Sequence, residues 1–184
     1  MWAPSSGSSG AANGEVVFSE YVEGSSNNKA IEISNRGNSA VDLARFEISI
    51  HANGSDVPTG SRVLSGTLDA GASLVLCHPS ASPPLLARCD VTHGTVANFN
   101  GDDALVLADA QNHAVLDSFG DVNPPGPAWD TGGVGSQNRT LRRKCSVRTG
   151  SALPAAFNPS LQWDGADMDD FSNVREDHCR GGSW

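Results

Sequence analysis

The sequence predicts an all-β domain in which two sheets pack face to face. Three observations carry this expectation. Short runs of β-branched and aromatic residues alternate with polar ones, the period of a strand with one buried face. Turn signals separate these runs about every 8 to 12 positions, the spacing of a sandwich. The chain also holds 20 glycines and 10 prolines among 184 residues, a surplus that suits turns and disfavours helix bundles. A chain of this length is about one domain, too short for a catalytic and a binding domain of ordinary size together.

Residues 1–14 (MWAPSSGSSGAANG) are small and polar. They read as a linker or cloning remnant that cannot bury enough surface to fold, and any export signal would have been lost upstream of it. From Glu15 the strands begin. Glu15–Val22 is followed by a polar loop, then by Lys29–Ser34, in which Ile31 and Ile33 alternate with Ala30, Glu32 and Ser34. Val41–Leu43 and Phe46–Ile50 repeat the alternation, and Asn53-Gly54 breaks it. Arg62–Leu68 leads through the turn at Asp69–Gly71 into Ser73–Cys77, a continuous apolar run of the kind buried on both sides. Pro83–Cys89 is the one stretch with room for more than a turn of helix. Val96–Phe99, Ala104–Leu107 and His113–Phe119 follow as strands, joined by Asn- and Asp-containing turns. Residues 120–138 read as loop, and Arg139–Lys144 as a last strand whose charges suit an exposed edge. Seven or more such strands make an immunoglobulin-type sandwich over residues 15–172, with a C-terminal arm at 173–184.

The four cysteines, Cys77, Cys89, Cys145 and Cys179, form an even set without a C-x-x-C spacing, so three pairings are open. Cys77 with Cys89 and Cys145 with Cys179 are favoured. The first closes a short excursion between two strand-like runs, worth about 3 kcal/mol of loop entropy, and the second ties down the arm. The competing zinc set of Cys77, His78, Cys89 and His93 departs from the tighter spacing of structural zinc sites. Disulfides imply export to a secreted, extracellular or cell-surface location. No apolar run reaches the length of a membrane span.

Four segments resemble the lamin tail domain in its bacterial, secreted form: FSEYVEGSSNNKAIEISN from Phe18, LSGTLDAG from Leu64, NFNGDDALVL from Asn98 and GGVGSQNRTLRRK from Gly132. A weaker likeness runs on through Trp163-Asp-Gly and Asp169-Asp-Phe171. The resemblance implies an immunoglobulin-like, non-catalytic module, found beside extracellular nucleases and phosphatases of the endonuclease/exonuclease/phosphatase superfamily. It brings no agreed catalytic or ligand residues. The expected function is therefore an interaction module accessory to a secreted or surface protein. The alternative is a domain that presents nucleic acid to a linked nuclease or phosphatase.

The constellations are weighed on that basis. Gly120-Asp-Val-Asn123 is similar to an active-site element of that superfamily, but metal-assisted cleavage needs further carboxylates and a His base, and none accompanies it. The net charge of −9 argues against a general attraction to phosphates. It conceals a basic segment, however: Arg139, Arg142, Arg143, Lys144 and Arg148 are candidates for nucleic-acid contact. On a strand they cannot share one face, and edge protection with pairing to surplus carboxylates is the plainer role. Asp164, Asp167, Asp169 and Asp170, with Glu176 and Asp177 nearby, are calcium candidates by ligand type, though their spacing is not that of a D-x-D-x-D-G loop. Glu20, Glu23 and Glu32 are a weaker set. No cofactor is otherwise expected. The five histidines have no metal-protease spacing and no G-x-S-x-G serine to serve. Trp129, Trp163 and Trp184 are expected to cover the open ends of the sandwich. Asn53 and Asn138 head glycosylation sequons, hence surface turns.

Overall fold

The computed structural model describes residues 15–122, 128–152 and 156–179. Fourteen strands appear among them, β1 (Val16–Glu23), β2 (Lys29–Asn35), β3 (Val41–Asp42), β4 (Phe46–His51), β5 (Gly60–Val63), β6 (Thr67–Leu68), β7 (Ser73–Cys77), β8 (Val91–Thr92), β9 (Ala104–Asp109), β10 (Val115–Phe119), β11 (Asp130–Thr131), β12 (Val134–Gly135), β13 (Arg139–Arg143) and β14 (Trp163–Ala166), with two single-turn helices, α1 (Pro83–Leu86) and α2 (Pro159–Gln162). A six-stranded sheet in the order β14-β13-β1-β2-β7-β8 faces a four-stranded sheet in the order β10-β9-β4-β5, and two small hairpin-like pairs, β11-β12 and β3-β6, stand apart. The result is an immunoglobulin-like β-sandwich.

Alternation decides which side chains meet between the sheets. Phe18 and Tyr21 from β1, Ile31 and Ile33 from β2, Leu74 and Leu76 from β7 and Leu141 from β13 face Phe46, Ile48, Leu105, Leu107 and Phe119 from the other sheet. Tyr21 stacks on Phe119 at 4.0 Å, and Trp163 meets Phe119 edge-on at 5.2 Å, geometries worth about 1 kcal/mol each beyond area burial. A register shift between Phe18 and Glu20 is a β-bulge, and it turns both Ser19 and Glu20 to the outer face of the six-stranded sheet. β7 is buried on both sides as expected: its outward Val75 and Cys77 join Val22, Ala30, Leu85 and Val174 in a second apolar cluster.

Both expected disulfides are present, Cys77–Cys89 and Cys145–Cys179, with Cα–Cα distances of 6.0 and 5.2 Å, inside the range a disulfide spans. The zinc reading of Cys77 and Cys89 falls with the first.

Several expectations are corrected. Val96–Phe99 is a turn rather than a strand: His93 Nδ1 accepts from Val96 N at 3.2 Å and His93 O from Ala97 N at 3.0 Å, curling the chain so that Val96, Ala97 and Phe99 plug one end of the core. Arg62–Leu68 divides between β5 and β6, because Gly66 takes a φ of +100° and redirects the chain from β4 to β3. His113 has a φ of +57° in a turn, so that strand starts at Val115. The helix within Pro83–Cys89 shrinks to four residues. Arg139–Arg143 is no edge: it lies between β1 and β14. The edge is β14, where Trp163 is fully buried in a strand rather than capping a loop. Trp129 does cover an end, packing on Phe119 and Phe157. Trp184 lies outside the described residues.

Candidate interaction surfaces

β13 explains where the basic segment goes. Alternation sends Leu141 and Arg143 inward and Thr140 and Arg142 outward. Arg143 is wholly buried and donates from Nη1 and Nη2 to Asp117 Oδ2 and Oδ1, both at 3.1 Å. Its guanidinium lies 4.8 Å over the Trp163 ring. Asp117 also accepts from Phe18 N at 2.9 Å and Ser151 N at 3.0 Å, so one carboxylate on β10 joins β1, β13 and the segment after Cys145. Burial lowers the Arg143 pKa, while Asp117 works in the opposite sense. This is a structural lock, unavailable to a ligand.

The other four cations remain nearer the surface. Arg142 reaches Asp170 at 2.8 Å, Ser172 Oγ at 3.0 Å and Glu20 at 3.5 Å. Lys144 donates to Ser160 O at 2.6 Å and stands 4.0 Å from Asp164. Arg148 donates to Arg36 O at 3.1 Å. Arg139 is exposed, at the wall of a recess of about 380 Å³ formed with Gly133, Gly135, Gly165, Ala166 and Asp167. The five thus do not make one patch.

The four candidate aspartates do not converge either. Asp169 accepts from Ser25 N, Ser25 Oγ and Asn28 Nδ2 at 2.9, 2.6 and 2.9 Å. Burial works to raise its pKa, but these bonds outweigh it and hold the carboxyl below the ordinary value. Asp170 is likewise held low, first by Ser172 and then by Arg142. Asp164 and Asp167 are exposed. Among the described residues the one close group of possible metal ligands is Cys145, His178 and Cys179, and its two sulfurs are bonded to each other. Glu23 is taken by Lys29 and the Asn138 N–H. Asp121 accepts from Phe157 N at 2.9 Å, a loop clamp. Asn123, the end of the tempting tetrapeptide, lies outside the described residues. Asn53 and Asn138 sit exposed in turns with φ of +54° and +53°.

β14 is the last strand of the sheet, with β12 near it across the recess. Lys144 N donates to Gln162 O, and Arg142 pairs with Asp164 and Thr140 with Ala166. Residues 162, 164 and 166 therefore direct their backbone groups toward β13, and by alternation Trp163 and Gly165 direct theirs away. The Trp163 N–H is satisfied by Pro159 O. Gly165, exposed beside the recess, is left to offer its N–H and C=O outward.

Two features carried almost no sequence signal. Residues 167–179 fold back over the outer face of the six-stranded sheet, where Phe171 and Val174 pack on Val22, Ala30 and Val75. Beneath them lie Glu20 and Glu32, direct cross-strand partners each 2% exposed. Alternation marks both glutamates as outward, which without the covering segment would mean solvent. The Cys145–Cys179 pairing was the one hint that the chain returns.

A family model for the lamin tail domain matches residues 9–123, well over half of the chain. The match stops before the Gly132–Lys144 segment. The chain has no match among curated proteins. The sandwich and this match agree: the chain belongs to the lamin tail domain family, whose members are immunoglobulin-like, non-catalytic domains of the protein-interaction type.

Proposed function

We propose that this domain is an extracellular binding module, accessory to a secreted or surface protein, that takes an extended partner segment onto the β14 edge by strand addition. The carrying observation is Gly165, whose outward donor and acceptor stand at the open rim of the six-stranded sheet. Main-chain pairing of this kind supplies affinity, and adjacent pockets supply selectivity. The recess beside Arg139, which Asp167 and Asp170 also line, would take one polar side chain of the partner. Two disulfides suit an oxidising compartment, and no helix among the described residues is long and apolar enough to cross a membrane.

Presentation of nucleic acid to a linked nuclease or phosphatase is the less supported reading. Of its five cations Arg143 is buried, and Arg142 and Lys144 face carboxylates.

Mapping backbone amide shifts while a library of unstructured peptides is added tests the proposal. Perturbation along residues 163–166, abolished by Gly165→Pro, is expected. That substitution removes the outward N–H and leaves the β13 ladder intact. Perturbation elsewhere, or binding indifferent to Gly165→Pro, overturns it. Retention of duplex DNA at low salt that weakens steeply as salt rises would favour the other reading.

A further inference from the structure

The segment from Asp167 to Cys179 is anchored at one end by β14 and at the other by the Cys145–Cys179 disulfide. Between these anchors it is held by polar contacts around a small apolar center. Arg36 donates from Nε and Nη2 to Asp177 at 3.1 and 3.2 Å. Arg88 donates to Val174 O at 3.1 Å, and Arg175 pairs with Asp90 at 2.7 Å. The Arg175 N–H donates to Glu32 Oε2 at 2.6 Å. Asp169 and Arg175 hold φ values of +63° and +76°, a left-handed conformation that non-glycine residues keep only where surroundings impose it.

The surface beneath is electrostatically unbalanced. Glu20 and Glu32 stand opposite one another on β1 and β2, an arrangement that destabilises a sheet when both are charged. The groups facing Glu20 are Glu32, Arg142 from β13 and Asp170 from the arm. Those facing Glu32 are the Ser19 hydroxyl from β1, which donates at 2.6 Å, Ser34 beside it on β2, Ser73 from β7, and the Arg175 N–H and Asp177 from the arm. Among the described residues Arg142 is the one cation directly on the pair, and it also serves Asp170. Arg36 is turned to Asp177.

We propose that residues 167–179 form a proton-gated strap. It closes over the sheet while Glu20 and Glu32 are protonated, and it lifts between its two anchors when they ionise, uncovering the apolar strip of Val22, Ala30 and Val75. The titration behaviour supports this geometry. Burial first, then the charge of Glu32, carries Glu20 up to about 8 against the pull of Arg142. Burial carries Glu32 up to about 7, partly offset by the Ser19 and Arg175 hydrogen bonds. With the strap lifted, both carboxyls meet water and return toward the ordinary 4.5. The closed state therefore binds more protons than the open one between pH 4.5 and about 7 to 8. Closure is fully favoured below that window and weakens as pH rises through it, by about tenfold per pH unit for each proton involved.

Hydrogen exchange of the backbone amides of residues 171–179 in the intact, disulfide-bonded protein, compared at pH 6 and pH 9 after correction for free-peptide rates, is the test. Strap protection should fall by at least about a hundredfold while amides of β4 and β9 keep theirs. Glu20→Gln/Glu32→Gln should hold the strap closed at both pH values. If the double variant does not fold, Glu32→Gln alone should roughly halve the logarithmic drop. Equal protection at both pH values, a loss shared by strap and core, or an undiminished drop in the Gln variants overturns the proposal.

Discussion

Arg142 and Arg143 are neighbours on one strand and answer to opposite rules. Arg143 turns inward to a single carboxylate, Asp117, whose remaining lone pairs take two backbone N–H groups. Charge is matched there one for one, and both carboxylate oxygens are fully used, while the Arg143 Nε keeps no hydrogen-bond partner. Arg142 turns outward to Glu20 and Asp170, with Glu32 across the strand pair. On that side three carboxylates face one guanidinium. A matched buried pair holds strands together. A mismatched cluster relieves its surplus by binding protons, and so makes whatever covers it responsive to pH. The difference lies in stoichiometry, since Glu20 and Glu32 are nearly as buried as Asp117.

The largest effect should come from breaking the match. Asp117→Ala leaves Arg143 charged and unpaired in the core and strands the Phe18 and Ser151 N–H groups, so unfolding by denaturant should show a loss of about 3–5 kcal/mol. Asp117→Leu with Arg143→Met should recover the part that belongs to the orphaned charge and leave the cost of the two stranded N–H groups. Removing the arm's tether with Cys145→Ala/Cys179→Ala should cost about 2–4 kcal/mol by the same measurement, since the residues bridged are 34 apart in sequence. The mismatch predicts a pH slope instead of a fixed loss. Two carboxyls whose pKa values are raised by folding give stability that is complete below about 4.5 and declines as pH rises through about 7 to 8. Thermal unfolding should thus show the melting temperature falling from pH 5 to pH 8.5, and Glu20→Gln/Glu32→Gln should flatten the decline. The smallest effects belong to residues outside both clusters. Arg139→Ala should change stability by no more than about 0.5 kcal/mol, and a chelator should leave the melting temperature unmoved, because Asp169 and Asp170 already accept from protein donors.

The sandwich was legible because period-2 alternation is a local signal. Ile31 and Ile33, or Phe46 and Ile48, declare their face without reference to anything distant. Errors arose where a short segment satisfied two patterns. Val96–Phe99 has the composition of a strand, but His93 caps it into a turn, and its apolar side chains fill the end of the core from there. Arg139–Lys144 has the charges of an edge, yet one of them is buried opposite an aspartate 26 residues earlier. The Cys77–Cys89 pairing followed from the strand-like runs that flank it, and Cys145–Cys179 from the arm it ties down. What covers Glu20 and Glu32 did not follow, since Arg175 reaches Glu32 across 143 residues and nothing near either glutamate marks it. Long-range burial of a locally polar position escapes any reading of a single window.

Glu20 and Glu32, buried beneath the arm and with too little positive charge beside them, are expected to titrate far from ordinary glutamates. Side-chain carboxyl shifts of these two residues, followed by NMR from pH 3 to pH 10 in the intact protein, test it directly. Midpoints near 7 for Glu32 and 8 for Glu20 are expected, with the Arg175 amide moving in step as its acceptor changes charge. Two midpoints near 4.5, with the arm still in place above them, would contradict it.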